Sequence, residues 1–267
     1  MKILVIPDIH GNWKVALQNI KNNIDKIDQV VTLGDYVDDF DDSLSGKTMI
    51  DGFTELCQMA RDTKKINICI GNHDNSYYSP PRLREGVCSG HRWEYASDYK
   101  KMFDDNADLL NVFYMFDGVL FSHAGYSLEF NRRLSDRVER IEYDIKIPKT
   151  SLNINKINKL FHYDPDLFQH CGWSPSGNSI GESFLWIRPT SLLKSKWDKK
   201  IKLQVVGHTE MGISFLQCKN KKLIVADSRE HDKFLILDTE KIDELEFRQL
   251  EKKKETDEDR LLNWLIF

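Results

Sequence analysis

Carboxylate, amide and imidazole side chains recur along this chain in short clusters, each placed directly after an apolar run. Asp8-Ile9-His10-Gly11 follows residues 2–6 (KILVI), Gly34-Asp35-Tyr36-Val37-Asp38 follows residues 29–33 (QVVTL), and Gly71-Asn72-His73-Asp74 follows residues 66–70 (INICI). Ser122-His123-Ala124-Gly125 and Gly207-His208-Thr209 end the runs 119–121 and 203–206 in the same way. Carboxylate oxygens, an amide oxygen and imidazole nitrogens are ligands for divalent cations, and one carboxylate can bridge two of them. Residues two apart on extended backbone project to one side, so Asp8 and His10 can grip a single ion. His73 titrates near neutrality and can move a proton. A lone Asp-x-His is more simply read as a turn with a satisfied histidine. Five such clusters, each at the end of a strand, are harder to read that way, because ligands of α/β folds bind outside the carboxyl ends of strands.

The elements that must position these residues follow from periodicity. Residues 2–6, 29–33 and 66–70 are short β-branched runs without polar alternation and read as buried strands, and Pro7 ends the first of them. Residues 12–22, with Asn12 available as an N-cap, and residues 48–61 read as helices between those strands. Strands alternating with helices predict a layered α/β (α+β) architecture. Further strands are predicted at 112–116, 119–122, 203–206, 213–217, 222–226 and 234–237, several joined by short turns, which leads to the expectation of a mainly antiparallel second sheet. Residues 126–200 carry a weaker signal, with a helix near 154–161 and a Ser/Gly/Pro-rich loop at 171–181, and read as an insertion over a main domain of residues 1–250. Residues 251–267 join a charge run to an apolar end and read as a solvated helix whose end docks on the domain.

Composition bounds the rest. A chain of 267 residues can bury a large core as one domain. Its 38 basic and 42 acidic side chains leave a net charge of -4, which gives nucleic acid no global attraction. Five dispersed cysteines, with no Cys-x-x-Cys pair, fit reduced thiols in a cytoplasm. The apolar start, residues 1–6, is too short for a signal-peptide core or a membrane span, so a cytoplasmic protein without membrane attachment is expected.

In order and type the clusters resemble the signature of the calcineurin-like metallophosphoesterases: Asp-x-His, Gly-Asp-x-x-Asp, Gly-Asn-His-Asp/Glu, a His, and Gly-His. Gly34-Asp35-Tyr36-Val37-Asp38 and Val205-Val206-Gly207-His208-Thr209 lean towards the phosphoprotein phosphatase branch and its bacterial and phage relatives. Glu210 stands where other branches carry a second histidine. The resemblance implies that Asp8 and His10 hold a first metal, that Asp35 bridges, and that Asn72, His123 and His208 hold a second. It implies a layered β-sandwich core flanked by helices, and His73 as general acid, oriented by Asp38. One departure matters: the branch continues past its second aspartate with Arg-Gly, whereas this chain has Asp39-Phe40. Arg188, in Leu185-Trp186-Ile187-Arg188-Pro189, resembles a second phosphate-facing arginine of the branch, and Arg229 is another candidate donor.

The activity expected is hydrolysis of phosphomonoesters by a hydroxide activated between two divalent ions, manganese, iron or zinc, with a phosphoprotein or nucleotide as substrate. A serine/threonine protein phosphatase is the leading form of it. A dinucleoside tetraphosphatase or other nucleotide pyrophosphohydrolase, and a metal-dependent phosphate-binding protein without turnover, are the competing readings. Outside the motifs, His91, His162, His170 and His231 read as surface or packing residues. An ordinary surface loop is the simpler account of residues 77–84 and 91–93, although their mix of aromatics and cations would suit a lid over substrate.

Overall fold

The computed structural model describes residues 1–39, 44–79, 88–169, 177–227 and 234–249. In chain order its strands are β1 (Lys2–Ile6), β2 (Gln29–Thr32), β3 (Ile66–Cys69), β4 (Leu110–Asn111), β5 (Tyr114–Phe116), β6 (Val119–Ser122), β7 (Leu203–Val206), β8 (Ser214–Cys218), β9 (Lys221–Val225), β10 (Leu235–Asp238) and β11 (Arg248–Gln249). The helices are α1 (Trp13–Asn23), α2 (Gly46–Thr63), α3 (Asn72–Tyr78), α4 (Ala96–Asp104), α5 (Leu128–Arg140), α6 (Ile154–Tyr163) and α7 (Pro189–Lys194).

Alternation along the strands builds the layers. Ile3 and Val5 of β1, Val31 of β2 and Cys69 of β3 face one way, against Val119 and Phe121 of β6, Leu203 and Val205 of β7 and Ile224 of β9. Leu4, Ile6, Val30 and Ile68 face the other way, onto helices α1, α2 and α4. Helix α1 buries Trp13, Ala16, Leu17 and Ile20, the stripe that a 3.6-residue period places on one side. A third, smaller core lies under α7, where Leu192 and Leu193 meet Val206, Leu223 and Val225. Two sheets thus pack face to face with helices outside both, the layered sandwich expected from the sequence.

The first sheet runs β10-β1-β2-β3-β4 and the second β11-β8-β9-β7-β6-β5. Strands β1, β2, β3 and β4 are parallel, with β10 added antiparallel at the β1 edge. The second sheet corrects an expectation. β6, β7 and β9 are mutually parallel and β11 joins β8 in parallel, so antiparallel pairing is confined to β5 with β6 and β8 with β9. The short turns that suggested hairpins join β5 to β6 and β8 to β9, whereas β6 reaches β7 only through the helical stretch between them. That parallel order matters for chemistry, because it brings the carboxyl ends of β1, β2 and β3 and those of β6, β7 and β9 to two defined edges.

The 126–200 stretch carries α5, α6 and α7, and it packs into the main core through Phe184, whose ring lies 4.9 Å from Phe113. Asn12 occupies the N-cap position of α1 but makes no side-chain cap bond, whereas Ser45 caps α2 by accepting from Thr48 N. The residues following Gly71 form α3, so the third polar cluster opens a helix instead of a loop. Among the described residues no helix is long and apolar enough to cross a membrane; the 251–267 tail lies outside them.

Candidate metal centre

The residues after β1, β2, β3, β6 and β7 converge. The Asp35 carboxylate lies 3.5 Å from His10 Nε2 and 3.5 Å from His123 Nε2 through the same oxygen, Oδ2. Asn72 Oδ1 lies 2.7 Å from His123 Nε2 and 3.0 Å from His208 Nδ1, and those two nitrogens are 3.2 Å apart. Asp8 Oδ1 is 3.9 Å from His123 Nδ1. All six side chains expected to bind metal thus meet in one place, with Asp35 at its middle. His10, Asp35 and His73 form one set of donor atoms close enough to share an ion, and Asp8, Asp35 and His123 form another.

The backbone aims these groups. His10, Asp35, Asp38 and His208 all adopt left-handed φ, at 40°, 50°, 63° and 61°, which side-chain-bearing residues seldom occupy. Four such residues around one point mean that tertiary contacts hold each against its local preference. The glycines of the motifs make room for close approach. A Cβ on Gly71 would collide with the Asp35 carboxylate, and one on Gly207 would collide with that of Asp8. Asp74, in the first turn of α3, accepts from the backbone N–H of Asp35 (2.7 Å), Tyr36 (2.7 Å) and Gly71 (2.9 Å), tying the loop after β2 to the end of β3.

Three imidazoles have their tautomers set from outside the centre. His10 Nδ1 donates to Asp38 O (2.8 Å), His123 Nδ1 to Leu33 O (2.9 Å) and His208 Nε2 to Trp186 O (3.0 Å). Each ring therefore turns an unprotonated nitrogen inward. Burial lowers the pKa of all three below the ordinary histidine value, which keeps them neutral and able to coordinate. Burial also acts to raise Asp35, but at the acid pH where the carboxyl titrates the surrounding imidazoles carry protons, and their attraction, that of His123 first, outweighs burial and holds the carboxyl below the usual range. Asp8 is shifted upward by burial and by the neighbouring Asp227 and Asp35.

These residues fit divalent cations. His123 Nε2, His208 Nδ1 and Asn72 Oδ1 are acceptors at hydrogen-bond distance with no proton to share among them. Asp8 Oδ1 is buried with no hydrogen-bond partner among the described residues. Unpaired buried acceptors of this kind are costly unless a cation lies between them, and a mixed carboxylate, amide and imidazole set suits manganese, iron or zinc.

Beside the centre, His73 Nδ1 donates to Asp38 Oδ2 at 2.9 Å. Burial pulls the His73 pKa down, but Asp35 and Asp38 outweigh it and the net shift is upward. The other Asp38 oxygen accepts from Tyr77 Oη, which itself accepts from Arg92 N at 2.6 Å. Arg188 donates to His208 O (2.8 Å) and Thr209 Oγ1 (3.2 Å), and its charge interacts with Asp35 and Asp8. Arg229 lies outside the described residues.

Sequence reasoning missed the contacts of Tyr77 and Asp74. It read Tyr77 and Arg92 as parts of a surface loop or lid, but both are buried. Arg92 pairs with Asp39, the residue standing where the resemblance would put arginine. His91 stacks on Tyr77 at 4.0 Å, a packing role. The buried ring of Tyr77 falls four residues after His73, one helical turn away, and that spacing was the available signal.

A family model described as calcineurin-like phosphoesterase matches residues 1–210, and the chain belongs to that family. Among solved structures it is similar to a hypothetical protein from Pyrococcus horikoshii OT3 (12% identity, covering 100% of this chain and 94% of that one, TM-score 0.46). It is also similar to a protein serine/threonine phosphatase from Saccharomyces cerevisiae with similarity to human phosphatase PP5 (15%, covering 85% and 67%, TM-score 0.43). A metallophosphoesterase from Sphaerobacter thermophilus matches over 48% of this chain and 53% of its own, at 19% identity and TM-score 0.27. No curated protein sequence matches the chain significantly.

Proposed function

We propose that this chain is a metal-dependent phosphatase that hydrolyses phosphomonoesters, with a phosphorylated serine or threonine side chain as its leading substrate class. The observation that carries the reading is the cluster of facing acceptors: His123 Nε2, His208 Nδ1 and Asn72 Oδ1 within 3.2 Å of one another, beside a carboxylate at Asp35 that touches both halves of the site. In this reading Asp8, His10 and Asp35 hold one ion, and Asp35, Asn72, His123 and His208 hold the other. Bound divalent ions would supply Lewis-acid polarisation of the phosphoryl oxygens and an activated water.

The chain's own residues do the rest. Arg188 offers a guanidinium to the phosphate, and its hydrogen bonds to His208 O and Thr209 fix it at the edge of the centre. His73, whose protonated form Asp35 and Asp38 favour, donates a proton to the leaving alkoxide. The Asp38–His73 pair favours monoesters of poor leaving groups over pyrophosphates, whose leaving group needs no such proton.

The test is a manganese-supplemented screen of monoesters, diesters, diadenosine tetraphosphate and a phosphopeptide, with Asp35→Asn as blank. Turnover of the phosphopeptide and alkyl monoesters, lost in the blank and on chelation, is the expected result. Cleavage confined to the tetraphosphate would replace this reading with a nucleotide pyrophosphohydrolase. His73→Asn is expected to bind both ions and to lose roughly 10² to 10⁴-fold in turnover of alkyl phosphates.

A further inference from the structure

An asparagine ligand has a problem that a carboxylate does not: only one end of its amide can bind a cation. In this site the wrong end has a strong local attraction. Two unprotonated nitrogens, His123 Nε2 and His208 Nδ1, stand 2.7 Å and 3.0 Å from the Asn72 amide. Before any cation arrives, a half-turn of the amide would let its NH₂ group donate to both of them, satisfying acceptors that are otherwise bare. The centre would then be sealed by its own ligand. Something must hold the NH₂ end elsewhere.

Cys88 is placed to do it. Asn72 Nδ2 donates to Cys88 Sγ at 3.3 Å, and the thiol donates in turn to Asn72 O at 3.4 Å. The thiol hydrogen is thereby committed to the main chain, which leaves the sulfur lone pairs for the amide. Both residues are buried, Cys88 at 6% exposure and Asn72 at 4%, so no bulk water competes for the NH₂ group. Cys88 lies 16 residues from Asn72 in sequence and belongs to none of the motifs.

We propose that Cys88 is a positioning residue for the metal centre, holding the Asn72 amide with its oxygen rather than its nitrogen towards the second ion. The inference rests on the metal-centre reading above. Partners of this kind, one step behind a ligand, typically change metal affinity by about 10 to 100-fold when removed.

The experiment is calorimetric titration of the metal-free full chain with Mn²⁺, comparing wild type, Cys88→Ala, Asn72→Asp and the double variant. Removing the thiol is expected to weaken the second ion about 10-fold and leave the first within about twofold. Asn72→Asp supplies oxygens at both ends, so its orientation no longer matters, and adding Cys88→Ala to it is expected to change affinity by less than about twofold. Second-ion binding by Cys88→Ala equal to wild type would overturn the proposal. A loss that persists undiminished in the Asn72→Asp background would overturn it too, since it would then come from packing. Should Cys88→Ala fail to fold, Cys88→Val keeps the volume and removes the acceptor, with the same outcomes. Absence of ion binding by wild type, or unaltered binding by Asp35→Asn, would instead sink the metal-centre reading itself.

Discussion

At the scale of single residues, the centre depends on groups that touch no ion. Asp38 uses both carboxylate oxygens, one for His73 Nδ1 and one for Tyr77 Oη. Tyr77→Phe would leave a buried carboxylate oxygen without its donor, a change worth about 1.5 to 3 kcal/mol for a bond to a charged group. Part of that loss reaches His73 through the orientation of Asp38. The expected outcome is a fall of roughly 10-fold in kcat on alkyl phosphates, with KM little changed. On p-nitrophenyl phosphate, whose leaving group needs no proton, turnover should stay near wild type. Equal losses on both substrates would mean that Tyr77 only supports the fold. The residues at strand ends were legible in the sequence because each follows an apolar run directly. Tyr77 and Cys88 were not, because their contacts, Tyr77 with Asp38 and Cys88 with Asn72, join residues far apart in sequence.

At the scale of elements, α3 is the part that joins the two halves of the site. Its first turn holds Asn72 and His73, and its Asp74 accepts from three backbone N–H groups on two separate loops. Asp74 is pushed up to about 8 by burial and by the charge of Asp35. Replacing it with alanine removes all three bonds at once and leaves their donors buried. We expect a loss of about 2 to 4 kcal/mol of stability in urea denaturation, together with weaker metal binding, because Asp35 at its left-handed φ of 50° loses the contact that holds it there. Stability lost without any change in metal affinity would mean that Asp74 anchors the helix alone. Periodicity located α1, α2 and α6 in the sequence but not α3. Seven residues, beginning inside a polar motif, give too short a stretch for a 3.6-residue pattern to show.

At the scale of the whole molecule, the layered order of strands and helices was legible because buried strands and amphipathic helices each carry their own period. The direction of strands in the second sheet was not, since parallel pairing of β6 with β7 depends on how some eighty intervening residues return, which no local pattern encodes. Those intervening residues also carry a buried carboxyl from which a pH dependence of stability is expected. Glu182 is fully buried, and among the described residues no hydrogen bond of good geometry reaches its carboxylate oxygens. Burial pushes its carboxyl from the ordinary 4.5 up to about 7, against the opposing pull of the Arg133 guanidinium. A carboxyl whose folded value lies above its unfolded one binds more protons in the native state between the two. Its contribution to stability is therefore complete below pH 4.5 and is lost as pH rises through about 7. Glu182→Gln fixes the uncharged form and should cancel that dependence. With metal concentration held constant, the variant should melt within about a degree of wild type at pH 5 and roughly 2 to 4 °C above it at pH 8, the shift that about 1 to 2 kcal/mol gives a chain of this size. A melting difference between the two proteins that stays constant from pH 5 to pH 8 would show that Glu182 does not titrate within the fold.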